Sequence, residues 1–349
     1  MSEIPQDLCE FIIDFLHADR RALAACSLVA RSWLCASRYH LFRSIKFDSA
    51  NAHHFLRLLD SACATFPYIT RTLHLCDEEY FFPRRVDEHL IRGITSLSTL
   101  KAFKMTAITW SGYDPHPHHR RDLLISNTVT QVELGGVEFD DIHDLVCLIC
   151  GFGSLQELRL EVQFWDVDIP YRGTQRISKA VRSISIRMTR GTEHLLGWLS
   201  EHTEQELVTA KMGLHRLTAD DLVSAGSLVR KLGDQLRELE LSFDESSGTI
   251  SASYLYSLLD LSMNTRLERL QLHLDPRESI YQACSLHGKL ALFISRASAS
   301  LMSLRLDITT EDHGLINWGE LAATLDRRRF SKLRDAAVVC GGKAKDLLD

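Results

Sequence analysis

No apolar run in this 349-residue chain approaches the roughly 18 residues that a membrane span requires, and no basic start followed by an apolar core marks the N-terminus. The composition therefore predicts a soluble, intracellular protein. Charge of one sign is also scarce. The net charge is −6, and ionic residues fall in short pairs such as Arg84-Arg85, Asp140-Asp141 and Asp220-Asp221. Nothing in that pattern offers the broad basic field that nucleic acid or an anionic membrane attracts. Arg327-Arg328-Arg329, a lone basic triplet, reads as a solvated helix end. Nine cysteines, an odd number at irregular spacing, suit reduced thiols packed on apolar faces better than a disulfide framework. That usage predicts cytoplasm or nucleus.

Recognised catalytic signatures are missing as well. The chain has no G-x-x-x-x-G-K-[ST] loop, no G-x-S-x-G elbow and no H-E-x-x-H helix, so phosphoryl transfer, acyl transfer and zinc hydrolysis lack a nucleophile or ligand set. Cys147 and Cys150 have C-x-x-C spacing but lie in an apolar stretch without a second pair, which favours core packing over redox or zinc chemistry. His116, His118 and His119 form a short histidine tract with no carboxylate or thiol to complete a coordination sphere. No metal, no cofactor and no enzymatic activity are predicted.

The N-terminal stretch does carry a pattern. Ile4-Pro5-Gln6-Asp7-Leu8 opens a segment in which Leu8, Phe11, Ile12, Ile13, Phe15 and Leu16 follow one another. Pro5 suits the first helical position, and the helix is apolar nearly all round. A helix buried only against its own domain shows one stripe, so a second face wants a partner. Asp19 can cap a following helix with Leu23, Cys26, Ala30 and Trp33 at helical spacing. A module of roughly 40 residues buries too little surface to stand alone without disulfides, metals or association.

With Val29-Ala30-Arg31-Ser32-Trp33 and the closing His40-Leu41-Phe42, this segment resembles an F-box. The resemblance covers about the first 45 residues. It implies docking onto the Skp adaptor of a cullin-RING ubiquitin ligase through Ile4, Pro5, Leu8, Ile12, Phe15, Leu16, Leu23, Val29, Trp33, Leu41 and Phe42.

Further along, apolar-polar-apolar triplets recur: Leu73-His74-Leu75, Phe103-Lys104-Met105, Val132-Glu133-Leu134, Leu158-Arg159-Leu160, Ile184-Ser185-Ile186, Ala210-Lys211-Met212, Leu239-Glu240-Leu241, Leu270-Gln271-Leu272 and Leu304-Arg305-Leu306. Most have an apolar residue three positions earlier, among them Leu155, Val181, Leu207, Leu236, Leu267 and Leu301. Regular recurrence carries the inference, since single triplets arise by chance. Helical patterns lie between them: Ile142, Leu145 and Ile149; Leu222, Ala225, Val229 and Leu232 behind a cap at Asp220 or Asp221; Leu286, Leu290 and Phe293.

The L-x-x-L-x-L pattern resembles leucine-rich repeats, in degenerate form. The predicted fold is α/β: a three-helix F-box over 1–47, a helical junction over 48–66 containing His54, Leu58 and Leu59, and a leucine-rich-repeat-like solenoid over 67–349. Parallel strands would line its concave face and helices its convex face. An irregular loop is expected over 106–120. The central residues His74, Lys104, Glu133, Arg159, Ser185, Lys211, Glu240, Gln271 and Arg305 should all point away from the core. Together the two resemblances imply a substrate-recognition adaptor: the F-box holds the Skp adaptor and, through it, cullin and RING subunits, while the outward row, with Arg159 and Arg305 foremost, holds a protein substrate. The alternative is a scaffold that binds Skp without delivering a substrate.

Overall fold

The computed structural model describes residues 4–48, 51–59, 61, 64–76, 93–110, 126–166, 171–188, 191–202, 207–214, 219–243, 258–274, 290–308, 318–326, 328–340 and 343–346. The chain forms two compact units: Met1–Glu138 with Cys147–Leu155, and Phe139–Val146 with Gln156–Asp349. Both are α/β, and both are built on parallel strands.

The first unit begins with three helices: α1 (Gln6–Phe15), α2 (Arg20–Val29) and α3 (Arg31–Arg43). Asp19 caps α2 as its sequence position predicts, its carboxylate accepting from the backbone N–H groups of Arg21 and Ala22 at 3.0 and 2.9 Å. Two expectations are corrected here. Pro5 is the residue before the helix rather than its first, with its carbonyl taking the N–H groups of Leu8 and Cys9. The helix expected to carry both Ala30 and Trp33 breaks at Ala30, which is extended (φ −154°, ψ 156°), and Trp33 belongs to α3. Identical spacing across a one-residue break is what hid the boundary.

Helix α3 runs straight into β1 (Ser44–Phe47), which pairs in parallel with β2 (Thr72–Cys76). Parallel strands therefore start at Ser44, inside the segment expected to be purely helical. The junction is helical as predicted, α4 (Ala52–Leu59), and is held by ring packing: Phe55 lies 3.9 Å from Phe47 and 5.2 Å from Phe66, centroid to centroid. Beyond β2 come β3 (Ala102–Thr106), the short β4 (Thr109–Trp110) and β5 (Gln131–Phe139). Trp110 is thus strand rather than loop. The backbone is left-handed at Ala107 (φ 55°), where β3 gives way to β4, and at Gly136 (φ 62°) within β5. His116, His118 and His119 lie outside the described residues, as does Leu286.

Helix α5 (Ile142–Cys150) has Ile142, Leu145 and Ile149 buried, as its periodicity requires. The second unit then carries β6 (Glu157–Phe164), β7 (Ser183–Met188), α6 (Thr192–His202), β8 (Thr209–Leu214), α7 (Ala219–Leu232), β9 (Glu238–Phe243), β10 (Arg269–Leu274), β11 (Ser303–Ile308), α8 (Trp318–Thr324), β12 (Asp335–Cys340) and β13 (Lys343–Asp346). Strands β6 to β12 pair in sequence order, all parallel, and β13 closes on β12 antiparallel. Helix α7 starts at Ala219, so Asp220 and Asp221 sit in its first turn rather than at a cap. There they still favour the helix dipole.

Every triplet flank is buried, from Leu73 and Leu75 at 0 and 1% exposure to Leu304 and Leu306 at 1 and 0%. So are the apolar residues three positions earlier. The exception at that position is Thr70, fully buried, whose hydroxyl donates to the carbonyls of Phe42 and Phe66 at 3.0 and 2.8 Å. A second device ties neighbours together just before most of the parallel strands. In the first unit the N–H groups of Lys101 and Ala102 share the Arg71 carbonyl; in the second, those of Arg182 and Ser183 share Gln156, and those of Arg237 and Glu238 share Val208. Buried side chains do likewise: Asn264 Nδ2 donates to the carbonyls of Val229 and Gly233. Each repeat thereby satisfies orphan carbonyls of the one before it.

Candidate docking surfaces

The N-terminal helices leave an apolar face uncovered. Helix α1 turns only Cys9 and Ile13 into the core. Ile4 (53% exposed), Leu8 (52%), Phe11 (59%), Ile12 (40%) and Phe15 (71%) remain in solvent, with Leu28 (86%) and Val29 (68%) on α2. Phe11 and Phe15 pack edge to face, with centroids 4.8 Å apart, on that surface. An α3–α1 contact fixes the helix, His40 Nε2 lying 2.7 Å from Asp14 Oδ1.

Sequence reasoning therefore placed Ile4, Pro5, Leu8, Ile12, Phe15 and Val29 where a partner can reach them. Leu16, Trp33, Leu41 and Phe42 are half-buried, and Phe42 packs on Phe66 with centroids 5.6 Å apart. Leu23 is corrected outright. It is fully buried and offers no surface to another molecule. Phe11 and Leu28 are the additions, and the signal for Phe11 was present: it lies three residues after Leu8 and four before Phe15, on the same helical face.

The second surface is the outward face of the strands. In the first unit Lys46, His74, Lys104 and Glu133 occupy one register row. In the second, Arg159, Ser185, Lys211, Glu240, Gln271 and Arg305 do the same, followed by Ala337. All nine predicted central residues are at least partly exposed.

Their charges are largely spent on each other. Lys104 Nζ lies 2.8 Å from Glu133, Lys211 pairs with Glu240, and Arg305 Nε lies 2.8 Å from Asp307. Gln271 donates to Asp307 at 2.9 Å, and the two ring nitrogens of His273 face Glu240 at 3.2 Å and Asp307 at 3.1 Å. Arg305 is thus held by an in-strand carboxylate rather than waiting for a partner. Among the described residues Arg159 is exposed with no hydrogen bond or ion pair.

Burial, helped by the neighbouring Cys147, pushes the Cys150 thiol up to about 12, so no thiolate forms at neutral pH. Among the described residues no group of three or more His, Cys, Asp or Glu is arranged to hold a metal ion, and no helix is long and apolar enough to cross a membrane. No protein-family model matches the chain, and no curated protein matches it.

Proposed function

We propose that the chain is a non-catalytic adaptor: residues 4–43 form an F-box-like module that docks on a Skp adaptor, and the strand-bearing remainder, a degenerate leucine-rich-repeat fold, captures a protein substrate for ubiquitination by cullin and RING partners. The observation that carries this reading is the exposure of the apolar side chains Ile4, Leu8, Phe11, Ile12 and Phe15 on and before α1 and of Leu28 and Val29 on α2. Fully burying one such side chain is worth about 1.5–3 kcal/mol, so several together supply the roughly 8 kcal/mol of a micromolar contact and offset part of the cost of association. A monomer gains nothing from exposing them.

The register row supports the second half. A rigid strand face holds its polar side chains at fixed spacing, and the exposed guanidinium of Arg159 suits bidentate pairing with a carboxylate. Delivery works by proximity: a tethered substrate has its lysines at high effective concentration beside the charged conjugating enzyme. Affinity purification from cells lacking Skp-binding capacity, through Leu8→Asp with Ile12→Asp, should enrich proteins that the unmodified chain loses to degradation. Substrate capture without accumulation would leave the chain a scaffold instead.

A further inference from the structure

Residues 31–43, 64–71, 93–101 and 126–130 lead into β1, β2, β3 and β5 of the first unit and contain no aspartate or glutamate. They do contain Arg31, Arg38, Arg43, Arg71 and Lys101, all exposed. Three of these are stacked. The Arg71 N–H donates to the Arg43 carbonyl at 2.8 Å and the Lys101 N–H to the Arg71 carbonyl at 2.8 Å. Arg43, Arg71 and Lys101 thus hold the same position on neighbouring strands, one residue before the register partners Ser44, Thr72 and Ala102. With parallel strands about 4.8 Å apart, the backbone positions that carry these three cations span about 10 Å.

Like charges opposite one another on adjacent strands repel. None of the three side chains has a hydrogen bond or ion pair among the described residues, although the Arg43 guanidinium stands 5.8 Å from the Tyr39 ring centroid. The second unit handles the same column differently. It reads Gln156, Arg182, Val208, Arg237, Glu268, Met302 and Arg334, and where two charges adjoin they have opposite sign, Arg237 lying 2.7 Å from Glu268. The acid-free column is therefore peculiar to the first unit. Tyr68, 70% exposed, sits three residues before Arg71 and adds an exposed aromatic side chain to the same segment.

We propose that this rim docks an acidic segment of a partner protein, whose carboxylates supply the missing counter-charge. Arginine pairs bidentately with carboxylate, and an exposed tyrosine is a favoured interface residue. Nucleic acid suits the site less well: binding to a duplex draws on a longer track of phosphate contacts, and the net charge of −6 opposes a long polyanion. The inference stands whether or not the N-terminal helices bind Skp.

The test is fluorescence anisotropy of the full chain with three labelled probes: a peptide of alternating Asp and Glu, a Gly-Ser peptide of equal length, and an oligothymidylate. The acidic peptide should bind, weaken with added salt, and lose at least about tenfold in affinity on Arg71→Glu with Lys101→Glu. The charge-matched control Lys332→Glu with Arg334→Glu, both exposed in the second unit, should stay within about twofold. If the double reversal disturbs folding, Arg71→Gln with Lys101→Gln must still weaken binding. Acidic peptide held no better than Gly-Ser, equal loss in the control, or tighter binding of the oligonucleotide would each overturn the proposal.

Discussion

The ammonium group of Lys104 lies 2.8 Å from the carboxylate of Glu133, its register partner on the neighbouring parallel strand. Both side chains are more than a third exposed, so the pair is worth less than about 1 kcal/mol. Its value is diagnostic. Lys104→Glu should lower the melting temperature slightly by placing like charges opposite each other, and adding Glu133→Lys should restore it. A double variant no better than the single one would contradict the register.

Burial at the triplet flanks predicts a much larger effect. Leu239 is 1% exposed in β9, and Leu239→Asp strands a carboxylate among apolar side chains, costing several kcal/mol. The variant should be insoluble or show a far lower melting temperature, whereas Glu240→Asp next to it should change little. Circular dichroism on both proteins separates inward from outward positions.

Gly226 lies within α7, where alanine ordinarily gains about 1 kcal/mol of helix propensity. Here the sign should reverse. A Cβ at that position would stand 2.3 Å from the Leu258 carbonyl oxygen, a backbone atom unable to swing aside. Gly226→Ala should therefore destabilise the fold in urea denaturation. A stabilised variant would mean that the close approach of the helix to Leu258 is wrong.

At the N-terminal end of α6, burial raises the Glu193 carboxyl above its ordinary value of 4.5, and a hydrogen bond with Asp221 and the Asp221 charge push the same way, against a backbone hydrogen bond and His194. With the folded value above the unfolded one, the stabilisation is fully present below about pH 4.5 and is lost as pH rises through the raised value. Over that window the melting temperature should gain from Glu193→Gln, and the gain should vanish under acid conditions. A constant difference across pH would remove Glu193 as its source.

Much of this architecture is legible in the sequence because strand alternation has a period of two and needs no other information. The flanks and centres of all nine triplets follow from it, and the buried faces of α5 and α7 follow from the 3.6-residue helical period. What escaped reading depended on single residues. The break at Ala30 leaves helical spacing intact on either side, and β1 at Ser44–Phe47 is too short to separate from the helix before it. Leu23 resembled its exposed neighbours, and only packing of the three helices decides which leucines turn inward. Charge pairing was equally hidden. Arg305 and Arg159 look alike in their triplets, but Asp307, two residues on and on the same face, holds the former.

Isothermal titration of the purified full chain with a purified Skp adaptor tests the central claim most directly. The account predicts micromolar or tighter binding, lost by at least about a hundredfold on Leu8→Asp with Ile12→Asp, since burying unpaired carboxylates removes several kcal/mol. Both side chains are exposed in the free protein, so the variant should keep its fold and melting temperature. No heat of binding to the unmodified chain, or full binding by the double variant, would contradict it.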